Sequence, residues 1–371
     1  MTLTLDVQAR DGLARAGTLT NARGSIRTPC FMPVGTRGAV RTLSAVDLED
    51  LGVQIVLGNT YHLMLKPGVE AIAACGGLHA FTGWSGQVLT DSGGYQVFSL
   101  DPGGNVRLDD HGVTFRSTYD GGTHRLTPEG AVDLQVAFGS DVQMVLDVCP
   151  PLPSSRAVLR AAVERTADWA ALARRAFLAH DRPELSQLGI LQGGTDVELR
   201  LESAQRTVAV GFEGYAVGGL SVGEDRDEML ATLAATLPHL PEDQPRYLMG
   251  VGDPLGMVEA IALGIDLFDC VLPTRFGRHG TILSTAGRYN LKRSENAAAD
   301  DPLDPECGCP VCARFSRAYL RHLLVVDEPT APRLLTLHNV WWTLRLVEEA
   351  RAAIEAGTLE AVRCRVAAAY G

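Results

Sequence analysis

Two carboxylates stand out because the segments around them are apolar. Asp269 interrupts "DLFDCVLPTR" (266–275), and Asp91 precedes a small-residue turn in "TDSGGYQV" (90–97). A buried acid without a partner is unfavourable, so each sits at a strand end, pairs with a cation, or acts as a reagent. A third acid, Asp147, closes the run "VQMVLDV". Other apolar runs deliver Gln192 in "LGILQGG", Gly218, Gly219 and Leu220 in "GYAVGGL", and Met249 in "RYLMGVG". Singly, each has a plain structural reading: Asp91 caps a turn, the glycines bend the chain, Met249 fills core. Jointly, they describe a site. Tyr95 and Met249 would sandwich a flat ligand, Asp147 and Gln192 would read its edge, and Gly218 and Gly219 would admit close backbone approach. That set suits a purine-like base. Asp91 and Asp269 would flank its sugar, and two carboxylates across a glycosidic bond serve exchange with retention, one as nucleophile and one as acid/base.

Such groups converge only if the elements carrying them are arranged in a ring. Eight apolar runs recur, at 30–36, 53–60, 86–94, 142–148, 188–194, 214–220, 246–252 and 267–274. Their hydrophobicity is continuous rather than alternating, as expected of parallel strands covered on both faces. Helical patterns lie between most of them, several opening with Ser, Thr or Asp in capping positions. Eight strands alternating with helices predict an α/β (β/α)8 TIM barrel, in which catalytic groups sit at the C-terminal strand ends. An open doubly wound sheet is the alternative, but no G-x-G-x-x-G opens a first helix. The chain has 371 residues, against roughly 250 for a bare barrel, so insertions are required. One is expected at 99–127, where "VTFRSTYDGGTHRLT" reads as a hairpin turning at Asp120-Gly121-Gly122. The other follows the eighth strand. The expected organisation is one catalytic domain over 1–371, with a zinc-binding subdomain at 276–340 inserted within it.

That second insertion contains Cys307, Cys309 and Cys312 in "PECGCPVC", with His338 further on. Three thiolates and one imidazole complete a tetrahedral zinc shell, leaving no open position, so one structural zinc per chain is expected. The other five cysteines are scattered through apolar segments, as reduced core thiols would be. Residues 275–322 carry eight Lys/Arg and five Asp/Glu, a local excess of basic charge in a chain of net charge −11. This stretch is a candidate phosphate-contacting face. The N-terminal segment lacks a basic region followed by an apolar run, and no apolar stretch reaches the ~20 residues of a membrane helix. A cytoplasmic protein with no membrane association is expected.

The strings "TDSGGYQV", "GNTYHLMLKPG", "LQGG", "GYAVGGLSVGE", "YLMGVGDP" and "FDCVLPTR", together with "CGCPVC" and His338, resemble the bacterial tRNA-guanine transglycosylases. The resemblance is collinear over nearly the whole chain. It implies a homodimeric, zinc-containing barrel enzyme without organic cofactor. Such enzymes exchange guanine at the anticodon wobble position of tRNAs for Asp, Asn, His and Tyr (GUN anticodons) for a 7-deazaguanine base. By position, the resemblance implies Asp269 as nucleophile, forming a covalent tRNA intermediate, and Asp91 as general acid/base. It implies Asp147, Gln192, Gly219 and Leu220 as base-recognition residues, Tyr95 and Met249 as the sandwich, and tRNA contact by the basic stretch that begins with Arg275 and Arg278. Val148 departs from the acidic residue common there. Val222 replaces the glycine associated with queuine use, so 7-aminomethyl-7-deazaguanine is the expected base, although Ser221 also matches queuine-using relatives. Two other classes compete: a catalytically silent tRNA-binding partner subunit, and a carbohydrate glycosidase on the same barrel. The first is disfavoured by the presence of both Asp91 and Asp269, the second by the base-sandwich residues and the cysteine knuckle.

Overall fold

The computed structural model describes residues 2–100 and 106–371. All eight expected runs form strands of one parallel sheet. In chain order these are Cys30–Pro33, Ile55–Gly58, Gln87–Thr90, Val142–Met144, Ser186–Leu191, Gly214–Val217, Arg246–Leu248 and Leu267–Cys270. The eighth pairs with the first, Phe268 opposite Phe31, and the others follow in sequence order around the sheet. A parallel bridge between Val34 and Leu57 joins the first to the second and closes the barrel. The strands are shorter than the apolar runs predicted. The fourth strand, for example, ends at Met144, three residues before Asp147.

The capping signals hold. Ser155, Asp196 and Asp253 each accept a backbone N–H at the start of the helices Arg156–Ala179, Val197–Val210 and Pro254–Ala262. Ser44 and Asp225 form full capping boxes with Asp47 and Glu228. Each cap satisfies an otherwise orphaned donor and fixes where the preceding strand-end loop must stop.

The far end of the barrel is closed by an antiparallel sheet the sequence reading did not anticipate: Thr4–Asp11, Ala14–Asn21 and Gly24–Thr28. Arg15 from this sheet is fully buried and donates to Asp266 through Nε at 2.8 Å, and to the carbonyls of Glu242 and Gln244. Asp266 and Asp269 thus mark opposite ends of one short strand. The first is neutralised by a guanidinium; the second is not.

The hairpin after the third strand is present, Gly112–Arg116 against Thr123–Leu126, with a turn through Asp120-Gly121-Gly122. The expected insertion 99–127 also includes 101–105, which lie outside the described residues. After the eighth strand come the helix Leu272–His279, a two-stranded ribbon (Thr281–Ile282 with Tyr289–Asn290), the cysteine segment, and the helices Arg317–Val325 and Thr330–Ala356. Ile282, Leu291, Leu303, Cys309, Val311, Leu320 and Leu335 form a small separate core there. The helix Thr330–Ala356 serves both regions: His338 faces the cysteines, while Leu346, Val347 and Ile354 pack on the barrel core.

Candidate active site

One cavity of about 380 Å3 at the C-terminal strand ends is lined by Asp91, Tyr95, Asp147, Gly219, Leu220, Met249 and Asp269. Gln192 stands behind its wall, bonded to Asp147. The residues singled out from separate strands therefore meet in one place.

The three carboxylates differ in how they are held. Asp91 directly follows the third strand and receives four donors: Asn59 Nδ2 at 2.6 Å, Thr60 N at 2.8 Å, Gln96 Nε2 at 2.9 Å and Gly93 N at 3.1 Å. Burial pushes its pKa up to about 6, although all four bonds favour the ionised form. Asp269 receives two donors on one oxygen, Oδ1: the Tyr247 hydroxyl at 2.6 Å and Gly250 N at 2.7 Å. Burial raises its pKa too, against those two bonds. Its other oxygen carries no hydrogen bond among the described residues. One carboxylate is caged; the other presents a free edge.

Asp147 accepts from Gln192 Nε2 at 2.7 Å. Burial pushes it to about 6, with the Asp91 charge adding to the rise. Gln192 Oε1 is buried without a partner. A ligand N–H would satisfy it, as a buried amide oxygen requires. Gly219 lies against that amide: it has φ +64°, and a Cβ there would come within 2.2 Å of Gln192 Oε1. Only glycine fits. Tyr95 is half exposed and Met249 partly buried, both on the cavity wall.

The second cluster also assembles. The ligand atoms of Cys307, Cys309, Cys312 and His338 lie within 4.8 Å of one another. His338 Nδ1 is 3.3 to 3.6 Å from the three sulfurs, and Nε2 bonds the Leu283 carbonyl at 2.8 Å. That second bond places the proton on Nε2 and turns Nδ1 toward the thiols, the orientation a metal-binding imidazole needs. The group could hold a metal ion. Of the remaining cysteines, Cys30 and Cys270 are buried as expected, but Cys75 and Cys364 are exposed. Both lie at helix ends or faces where the apolar spacing did not point inward.

Residues 10–371 match the family described as queuine tRNA-ribosyltransferase. A queuine tRNA-ribosyltransferase of Solidesulfovibrio magneticus is 51% identical over 360 residues, 97% of this chain and 96% of the relative. One from Pelotomaculum thermopropionicum is 49% identical over 346 residues, 93% and 92% respectively. One from Thermotoga neapolitana is 45% identical over 368 residues, 99% and 98% respectively.

The chain belongs to the queuine tRNA-ribosyltransferase family.

Within this family fold, Arg275 and Arg278 lie on the helix Leu272–His279, immediately after the strand carrying Asp269. Arg275 is exposed and Arg278 half-buried, and neither forms an ion pair among the described residues. Several supporting residues were missed from sequence. Asn59, Thr60 and Gln96 sit in quoted strings yet received no role. Tyr247 was readable in principle: it precedes Met249 by two, and the parallel register sets it opposite Leu267, two before Asp269. Arg200 left no signal. It is fully buried, without a carboxylate partner, and donates to the carbonyls of Leu191, Gly194, Gly218 and Gly219. It fastens the loops after the fifth and sixth strands together.

Proposed function

We propose that the protein is a tRNA-guanine transglycosylase, a pentosyltransferase that replaces guanine at the wobble position of GUN-anticodon tRNAs with 7-aminomethyl-7-deazaguanine. The observation that carries this reading is the meeting in one cavity of Asp269, with one free carboxylate edge, and Asp147, backed by Gln192, in a chain of this family.

The target nucleotide enters the mouth flipped out of its loop. Its base lies between Tyr95 and Met249, with Asp147, Gln192, Gly219 and Leu220 along its edge. The Asp269 carboxylate attacks the anomeric carbon; the carbon–nitrogen bond breaks, a glycosyl ester forms, and the leaving guanine takes a proton from Asp91. The incoming base then returns a proton to Asp91 and displaces Asp269, so two inversions give retention. A pKa near 6 lets Asp91 hold or release that proton near neutral pH. Donating it requires one of its four donors to withdraw; Asn59 and Gln96 donate from side chains, Thr60 and Gly93 from the backbone.

The Cys307, Cys309, Cys312 and His338 group would hold one structural zinc, supporting the segment 276–340 as a subdomain of one catalytic unit. Arg275 and Arg278 would meet tRNA phosphates. The working form would be a cytoplasmic homodimer. Both carboxylates are in place, which disfavours a silent partner subunit. The unsatisfied Gln192 oxygen asks for a base donor, which disfavours a carbohydrate glycosidase. The test is incubation with undermodified tRNA and labelled guanine. Label should enter tRNA; its absence with both substrates saturating would overturn the proposal.

A further inference from the structure

The loop after the first barrel strand raises an exposed cation, Arg37, beside the mouth. Its guanidinium lies over the Tyr119 ring, 5.2 Å from the centroid. The Tyr119 hydroxyl is 2.9 Å from His62 Nδ1, and their rings meet edge to face. His62 lines the same cavity as Asp91 and Asp269, as does Thr36, the neighbour of Arg37. The trio therefore sits on the cavity rim rather than elsewhere on the surface.

This cation has no carboxylate partner among the described residues. Arg37 makes no ion pair or hydrogen bond among the described residues, in a chain of net charge −11. It is not alone. The first and eighth strands are neighbours, so the helix bearing Arg275 and Arg278 rises next to the Arg37 loop. Arg278 is held below its ordinary value by burial and by the charges of Arg41 and Arg275. Clustered, unpaired guanidiniums repel one another and are stabilised by an anion. Tyr119 supports the Arg37 guanidinium, whose N–H groups make no hydrogen bond among the described residues and can bond phosphate bidentately. Tyr119 is itself fixed, its backbone N–H donating to Ser117 Oγ at 3.1 Å.

We propose that Arg37, seated on Tyr119 beside His62, is a binding site for a backbone phosphate of the single-stranded RNA that delivers its nucleotide to the cavity. This rests on the reading above that the substrate is tRNA. A phosphate held at the rim would fix the strand next to the flipped nucleotide, so the site would act on tRNA affinity and not on the base.

The experiment measures binding of a fluorescent anticodon stem-loop RNA to the full-length protein across a KCl series, together with the KM for guanine. Arg37→Ala should weaken RNA binding about tenfold and reduce the slope of log K against log salt by roughly 0.7, the value for one single-strand phosphate. Arg37→Lys should keep the slope and lose part of the affinity. Tyr119→Leu should fall between the two. The KM for guanine should stay within twofold of the parent in each. An Arg37→Ala protein with the parent's affinity and slope overturns the site. If the parent exchanges no guanine, the transglycosylase reading falls, and the RNA slope still decides Arg37. If the parent exchanges guanine and the slope is unchanged, only this inference falls.

Discussion

Gln192 donates its amide to the Asp147 carboxylate at 2.7 Å, while its own carbonyl oxygen is buried with no partner. The pair is half of a hydrogen-bonding network: the Gln192 oxygen and the Asp147 carboxylate are both acceptors, so a ligand that donates completes it. A network left partly satisfied is unfavourable in the free protein and a source of specificity on binding.

Asp147 illustrates the resulting conflict between stability and recognition. Burial raises its pKa from 3.8 to about 6. The folded state therefore binds this proton more tightly than the unfolded chain, so its stabilising contribution is full below pH 3.8 and lost as pH rises through 6. Asp147→Asn cannot ionise and still accepts from Gln192. It should be more stable than the parent at pH 8, by up to about 3 kcal/mol, and equal to it near pH 3.5. Base exchange should nevertheless collapse, since the carboxylate is needed to accept the donors of guanine. Urea melts at both pH values test this; a variant less stable than the parent at pH 8 would refute it.

The bond from Tyr247 to Asp269 makes a separate prediction. Its donation at 2.6 Å holds the Asp269 pKa down against burial. Tyr247→Phe should therefore raise that pKa and move the acid limb of the pH–rate profile to higher pH. A hydrogen bond to a charged group contributes about 1.5–3 kcal/mol, so kcat should drop roughly 10- to 100-fold at neutral pH and recover partly on the alkaline side. Asp269→Asn keeps an acceptor for both donors but has no nucleophilic oxygen. It should bind tRNA yet give no denaturant-resistant protein–RNA band, and such a band would remove Asp269 from the role.

Much of this was legible because barrel strands announce themselves by continuous apolar runs, and the mouth residues close those runs. Asp91, Asp147 and Asp269 could be found by position alone. The N-terminal sheet was passed over by a search for continuous apolar runs: in Thr4–Asp11, Leu5, Val7 and Ala9 alternate with exposed polar residues, the period-two pattern of a strand covered on one face. Arg15 and Arg200 escaped for a different reason: both are buried, where sequence leads one to expect apolar residues, and their partners are mostly backbone carbonyls that no side-chain pattern encodes. The cage around Asp91 lies between these extremes, since Asn59 comes from a neighbouring strand end 32 positions away.

The metal site should be separable from the chemistry. Cys309 is fully buried in the small core formed by Ile282, Leu303, Val311 and Leu335. Cys309→Ser replaces a thiolate ligand with a poor one, and metal binding and folding of such a knuckle are coupled. Metal analysis should find one zinc per parent chain and less than half of that in the variant, with a clearly lower melting temperature. Full zinc content in Cys309→Ser would exclude that residue as a ligand.

The choice of incoming base should turn on Val222. Guanine and its 7-substituted analogues share the edge facing Asp147 and Gln192, so discrimination among them has to arise around position 7. Val222 and Cys149 line the cavity beside Leu220. The Val222 backbone is pinned from both sides: its N–H donates to Glu224 Oε2 at 3.1 Å and its carbonyl accepts from Leu152 N at 3.2 Å. A branched side chain on a fixed backbone cannot withdraw from a bulky substituent, and overpacking costs about 1–3 kcal/mol. The short aminomethyl arm should therefore pass more easily than the cyclopentenediol of queuine. With both bases competing for undermodified tRNA, the parent should favour 7-aminomethyl-7-deazaguanine by roughly 10- to 100-fold, and Val222→Gly should narrow that ratio mainly through the KM for queuine. Comparable use of both bases by the parent would show that the wall at Val222 yields, and that the arm of queuine leaves the cavity by another route.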